Sequence, residues 1–231
     1  MKMSEVSILS RLLLGVAIAL WPGLAVQAAP APAPASTPLA SSQLSAQDFM
    51  QQVTTQLLHR LVTERPAYTK DPAQLFRIVD ENITPYVDYP TIARRVMGRF
   101  YRQASDAQRQ KFVAQFKDSL IRTYGNGLAS YDHERISVLP ARTATAANAA
   151  TATVDMLITM NSGQNVPVTY ELQRAANGAW MLENVVLNGI NLGLTFRNQF
   201  ASDVEQYHNN LDQVIAHWLP HAQAVTAGQH S

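Results

Sequence analysis

The chain has 231 residues, 47% of them hydrophobic and 15% charged, and it contains no cysteine. That is enough length and apolar content for a single domain with a substantial core, and it excludes a disordered tail. With 18 basic and 17 acidic side chains the chain is close to neutral, which argues against nucleic acid as a partner, because affinity for a phosphate backbone needs a net basic surface.

The first residues read as an export signal. Lys2 and Arg11 precede an apolar run from Leu12 to Leu20, followed by Trp21-Pro22-Gly23 and then Val26-Gln27-Ala28, with small residues where a signal peptidase cuts. The run is short of the ~20 residues that span a bilayer, so residues 1–28 are expected to be a signal peptide cleaved after Ala28 rather than a retained anchor. Removing them takes away Lys2, Arg11 and Glu5, and leaves sixteen basic and sixteen acidic side chains. An exported chain without disulfides must rely on its core alone. Residues 29–44 open with the tract APAPAPASTPLASS, which cannot bury apolar surface and reads as a disordered linker. The folded domain is expected over residues 45–222, with 223–231 a frayed tail.

Four helices are expected in the first half. Ser45, with Asp48 three residues on, caps a helix whose face is Met50, Val53, Leu57 and Leu61. Asp71-Pro72 starts a second, with proline at its first position and Leu75, Phe76, Val79 and Ile83 on its apolar side, and Pro85 stops it. Pro90 begins a short third carrying Ile92, Val96 and Met97. Ser105-Asp106 caps the longest, in which Phe112, Phe116, Leu120 and Tyr124 stand four residues apart until Gly125-Asn126-Gly127 ends it.

From Glu134 the apolar period changes to two. Strands are expected at Ile136–Val138, through Val154, Met156 and Ile158, through Val166, Val168, Tyr170 and Leu172, and at Trp180–Leu187, with polar, glycine-bearing turns between them. In the last of these Trp180, Leu182, Val185 and Leu187 share a face. After Asn188-Gly189 the spacing becomes helical, Leu192, Phe196, Phe200 and Val204, with Asn191 as the cap, so a strand passes directly into a helix. A final helix runs through Leu211, Val214, Ile215 and Trp218. The pattern is α+β, a four-stranded antiparallel sheet with several helices packed against it.

Little in the sequence points to catalysis, and no enzyme activity, cofactor or metal is expected. There is no cysteine nucleophile, no Gly-x-Ser-x-Gly elbow and no phosphate-cradling glycine loop. His217 and His221 are separated by Pro220 and read as a solvated helix end, not a zinc site. Asp132, His133 and Glu134 are adjacent, as in a charged loop. Arg94, Arg95 and Arg99 sit near Val96, Met97 and Phe100, and Arg197 follows Phe196. Such guanidinium groups either hold a phosphodiester by paired hydrogen bonds or pair with carboxylates such as Asp88 and Glu183, and the sequence leaves both open.

Two blocks carry a resemblance. Gly178, Trp180, Val185, Gly189, Leu192, Arg197, Gln199 and Phe200 resemble the signature of the MlaC family, phospholipid carriers also called toluene-tolerance proteins. The stretch from Pro85 to Gly125 resembles the same family at Val87-Asp88, Ala93-Arg94-Arg95, Gly98, Phe112, Phe116 and Tyr124. The similarity spans Asp48 to Trp218. Two positions depart from it, Asn184 where aspartate is expected and Asn191 where serine is expected.

The resemblance implies a nuclear-transport-factor (NTF2-like) sheet and helices enclosing an apolar cavity for a glycerophospholipid. It implies a monomeric periplasmic carrier that shuttles lipid between an outer-membrane lipoprotein–porin complex and an inner-membrane ABC transporter with an MCE-domain ring, and so maintains outer-membrane asymmetry. In this reading Val154, Met156, Val168, Tyr170 and Leu182 floor the cavity. Phe112, Phe116, Phe196 and Phe200 roof it, Leu120 is a further lipid-binding residue, and Val96, Met97 and Phe100 gate it. Arg94, Arg99 and Arg197 are the headgroup candidates. Two acyl chains with about thirty methylenes resist leaving a bilayer by roughly 24 kcal/mol, so a carrier needs interior burial and not a surface patch. The alternatives are an enzyme of the same sheet type with Asp88, Tyr170 or His133 as acid or base, and an adaptor that carries nothing.

Overall fold

A computed structural model describes residues 44–129, 135–142 and 149–220. The expected signal peptide, the proline/alanine tract, the Asp132-His133-Glu134 triplet, His221 and the expected tail lie outside those residues.

Helix α1 (Ala46–Thr63) begins where its cap is written: Ser45 Oγ accepts the Asp48 N–H at 3.1 Å and donates to the Asp48 carboxylate at 2.6 Å. A six-residue helix α2 (Arg65–Lys70) follows that the apolar spacing does not signal. Its one buried side chain is Tyr68, whose hydroxyl donates to the Leu61 carbonyl at 2.9 Å. In α3 (Ala73–Ile83) the cap is the Asp71 carboxylate, which accepts the Ala73 N–H at 3.1 Å, so Pro72 sits at the cap position, just before the helix rather than within it. A 3₁₀ turn over Thr84–Tyr86 leads to α4 (Tyr89–Met97), capped by the Asp88 carboxylate on the Thr91 N–H at 3.0 Å. A second 3₁₀ segment, Gly98–Arg102, precedes α5 (Asp106–Ala129), where Ser105 and Gln108 form a reciprocal capping box at 3.2 and 3.0 Å. Helix α5 does not stop at Gly125 as expected. A β-carbon there would lie 3.3 Å from the Phe76 ring, so this glycine lets α3 approach α5 and does not terminate it.

The sheet has five strands in the order β1-β2-β3-β4-β5, each antiparallel to its neighbour. They are β1 (Arg135–Val138), β2 (Thr151–Thr159), β3 (Asn165–Arg174), β4 (Trp180–Leu187) and β5 (Ile190–Asn191). The expected four are present, and the fifth is a two-residue strand folded back by Asn188-Gly189. Both turn residues have positive φ, 48° and 81°, as a tight two-residue hairpin requires. The uneven spacing of Leu182 and Val185 also has a structural cause. Glu171 pairs with Asn184 and Leu172 with Leu182, which leaves Glu183 as the extra residue of a β-bulge. Helices α6 (Leu192–Gln206) and α7 (Leu211–His217) complete the chain.

Two packed bodies result, plus a smaller cluster of α1, α2, α3 and α5 side chains around Leu61, Tyr68 and Ile78. In the first body, Phe49, Met50 and Val53 of α1 cover Ala152, Val154, Met156, Val168, Leu172 and Trp180 on the inner face of the sheet. The second is helical, built from α4, α5, α6 and α7 with Trp218.

The joint between sheet and helices is fixed by short polar contacts. Asn184 Oδ1 on β4 accepts the Gly193 N–H at 3.1 Å, and Asn191 Oδ1 accepts the Leu194 N–H at 3.0 Å, so two of the orphan donors at the start of α6 are satisfied. A β-carbon on Gly193 would stand 2.7 Å from Asn184 Oδ1. Gly193→Ala is therefore expected to destabilise the fold by about 1–3 kcal/mol in chemical denaturation. Most of that loss should vanish in an Asn184→Ala background, and equal losses in both backgrounds would show that the contact is not its cause.

Candidate functional site

The inner face of the sheet is only partly covered. On the β2 side Ala152, Val154 and Met156 are buried under α1, whereas Leu182, Val185 and Leu187 on β4 and Tyr170 on β3 keep accessible surface. Leu182 and Ile83 pack against both bodies, so the two meet along a seam that β4 lines from below.

The roof residues turn toward each other. Phe112 lies 4.9 Å from Phe200 and 5.6 Å from Trp218, and Phe116 lies 5.0 Å from Trp218 and 5.9 Å from Phe196, between ring centroids. Trp218 is 1% exposed and fills the centre of this group, with Leu120 partly buried at its edge. Val96, Met97 and Phe100 are buried in the same cluster, Phe100 against Phe200 at 6.2 Å. The structure thus divides the expected chamber: Val154, Met156, Val168 and Tyr170 belong to the sheet body, the phenylalanines and the Val96–Phe100 group to the helical body, and Leu182 to both. A stripe of apolar residues reports burial without reporting the partner, which is why spacing merged them.

Few polar ties cross the seam. The Asp88 N–H donates to the Leu182 carbonyl at 3.1 Å, and Arg95 Nη2 meets Glu183 Oε2 at 2.7 Å, with Arg95 55% and Glu183 13% exposed. The bulge at Glu183 is what aims that carboxylate at α4. Of the four candidate arginines, then, Arg95 takes the carboxylate option.

The other three do not. Arg94 lies over the Tyr101 ring at 5.9 Å and Arg99 over the Phe100 ring at 4.8 Å. Arg197 crosses from α6 to lie over Gly98, where a β-carbon would come within 3.1 Å of its Nε. All three are exposed, and among the described residues none has a carboxylate partner. They ring the α4 end of the helical body with uncompensated positive charge.

Tyr170 stands apart chemically. Its hydroxyl lies 3.8 Å from the Met156 sulfur, a weak acceptor, and burial pushes its pKa up to about 12. A phenol so raised is not a base near neutral pH, and the Asp88 carboxylate is already engaged as a helix cap. Neither is set up as an acid–base pair. Among the described residues no group of three or more His, Cys, Asp and Glu side chains could hold a metal. His217 Nδ1 lies 2.9 Å from the Gln213 carbonyl, which can only accept from it, and the ring stacks on Tyr207 at 5.5 Å. The surface also carries polar concavities, one on the outer sheet face lined by Arg142, Thr153, Thr169, Glu171 and Val186, another beside Asp88, Arg95 and Glu183.

Sequence reasoning missed Val185 and Leu187 as seam residues and Trp218 as the hub of the helical body. The break in strand spacing after Leu182 was the available signal for the first. Nothing in a lone tryptophan near the end of an apolar stripe marks it as central.

Comparison with known proteins gives consistent matches. The model of the MlaC protein family matches residues 51–219. The toluene tolerance protein Ttg2D of Pseudomonas putida is 36% identical over 186 residues, 80% of this chain and 85% of that one. The intermembrane phospholipid transport system binding protein MlaC of Haemophilus influenzae is 28% identical over 102 residues, 44% of this chain and 48% of the relative. A solved phospholipid-binding protein from Ralstonia solanacearum, in complex with a phospholipid, aligns with a TM-score of 0.66 and 26% identity over 75% of this chain and 98% of its own.

Gly98 has φ +54°, a conformation costly for residues with a side chain, and it lies under Arg197. Gly98→Ala is expected to lower stability by about 1–3 kcal/mol in urea denaturation. An Arg197→Ala background should recover only the steric part, because the backbone strain remains.

Proposed function

The chain belongs to the MlaC family, and on that premise we propose that it is a periplasmic phospholipid carrier, exported by its N-terminal signal and holding acyl chains between its sheet and its helices. The observation that carries this reading is the seam. An apolar sheet face is left partly uncovered between two bodies that are each well packed, and three uncompensated guanidinium groups stand on the helical side. The apolar side chains suit acyl chains, and the arginines suit a phosphodiester that remains near solvent.

Acyl chains enter when the helical body is displaced from the sheet as a unit. Val96, Met97 and Phe100 move with that body, and the Arg95–Glu183 tie opens. The carrier hands its lipid between an outer-membrane lipoprotein–porin complex and an inner-membrane MCE-domain transporter, and this traffic supports outer-membrane lipid asymmetry. Monomeric action and the absence of a cofactor other than the lipid cargo complete the proposal.

Organic extraction of the purified mature protein followed by mass spectrometry is expected to release glycerophospholipid. Val185→Trp, which fills the seam without disturbing the surface, should abolish both the co-purified lipid and uptake from labelled vesicles. An adaptor would keep its function through that substitution, and a wild-type protein with neither bound lipid nor uptake would end the carrier reading.

Because the chain has no cysteine, a pair placed at Arg95→Cys and Glu183→Cys can be bridged by a reducible cross-linker without side reactions. The bridged protein is expected to retain its lipid and to exchange with vesicles at least tenfold more slowly, with full recovery on reduction. Equal exchange before and after reduction would place the opening motion elsewhere.

A further inference from the structure

We propose that the Tyr170 hydroxyl seats an ester carbonyl of the bound lipid's glycerol backbone, so that this chain selects ester-linked over ether-linked phospholipid; the proposal rests on the carrier reading above.

The argument starts from position. Tyr170 lies mid-strand in β3, directly across from Val154 on β2 and Val185 on β4, on the face that turns toward the helices. Val185 and Tyr170 as residues retain some accessible surface while the hydroxyl itself is enclosed, so a ligand reaches it only by way of the seam. The strand neighbours around it on that face are apolar, and among the described residues the hydrogen-bond partner of its hydroxyl is the Met156 thioether at 3.8 Å. A thioether is a poor acceptor, and a phenol in such surroundings normally has a better one. Its donor capacity is therefore nearly unspent.

The kind of acceptor follows from charge. The guanidinium on this face, that of Arg174, lies four residues further along β3, over the Trp180 ring at 4.1 Å with its Nη1 donating to the Gly178 carbonyl at 2.6 Å, and the residues directly across from Tyr170, Val154 and Val185, carry no charge. An anion placed against the hydroxyl would be desolvated and uncompensated, a cost far above that of a neutral group. A phospholipid offers three zones: an anionic phosphodiester, ester carbonyls, and hydrocarbon. Hydrocarbon accepts no hydrogen bond and the phosphodiester belongs with the arginines on the helical side. The neutral ester carbonyl is the acceptor that fits. Burial also holds the phenol protonated across the neutral range, so it donates at every pH at which the protein works.

The test compares two lipids that share headgroup and chain length and differ only in replacing both acyl esters by alkyl ethers. Delipidated protein is equilibrated with vesicles containing equal amounts of each, and the lipid recovered with the protein is quantified by mass spectrometry. The wild type is expected to favour the diester by about two- to tenfold, the worth of one neutral hydrogen bond. Tyr170→Phe preserves the ring and the packing, and should bring uptake of the diester down to that of the diether. Equal uptake of the two lipids by the wild type, or a preference that survives Tyr170→Phe, would overturn the assignment. Failure to bind either lipid would instead remove the carrier reading, and the ester seat with it. Thermal unfolding of the Phe variant at the wild-type temperature confirms that the comparison is between folded proteins, and Tyr170→Leu provides a second variant lacking the hydroxyl in which the loss of preference should recur.

Discussion

The contact of Asn184 with the Gly193 N–H decides how the two halves of this molecule are set against each other. It fastens the first turn of α6 to β4 within nine residues of chain. From that fixed start α6 carries Phe196 and Phe200 into the helical body and Arg197 over Gly98. Glycine is needed at 193 because any side chain would collide with the asparagine. The asparagine is tuned in turn by its neighbour across the sheet, since its amide Nδ2 donates to Glu171 at 3.1 Å. An aspartate at 184, the residue the family pattern leads one to expect, would also accept from Gly193 but would set a second carboxylate against Glu171. The amide answers both partners, which gives this departure from the pattern a physical reason.

Beyond the joint, energetic contrast governs what can move. Each body is held by aromatic and aliphatic packing in which truncating a single buried phenylalanine costs about 3–5 kcal/mol. The seam is held by the Leu182 carbonyl contact, by partly exposed apolar side chains, and by an arginine–glutamate pair with its guanidinium largely in solvent. An exposed pair of that kind contributes on the order of 0–1 kcal/mol. In the proposed opening, separation along the seam would precede disruption of either body, and β4, which touches both, would be the line about which it occurs. The seam lies on the strand with a bulge, where the hydrogen-bond ladder is already interrupted.

Much of this architecture was legible in the sequence because it rests on local chemistry. Ser45 with Asp48, Ser105 and Asn191 all cap the helices they were expected to cap, Ser105 with Gln108 as its unanticipated partner, and every anticipated strand pairs in sequence order. Failures came where one residue type serves two purposes. Gly125 reads as a helix stop but is a close-approach position against Phe76. The short α2 has only Tyr68 to bury and so leaves no periodic trace. The seam was the hardest feature to see, because the residues of floor and roof have the same apolar character. Only tertiary structure distributes them between two bodies, and the three-residue step from Leu182 to Val185 was the one outward sign.

Trp218 has a consequence for the order of folding. Its carbonyl accepts from Gln115 at 3.1 Å and the next carbonyl, of Leu219, accepts from Gln199 at 2.6 Å, so the indole is drawn into the ring of phenylalanines from a point 103 residues after its partner on α5. Until that late segment is available, Phe112 and Phe116 have no tryptophan to close around, however well α5 forms by itself. Contacts this distant along a chain are slow to make and cannot nucleate early. Exported amino end first, as proposed, the chain would hold its helical body incomplete until Trp218 had crossed, and α7 with Trp218 would then be the latch that closes it.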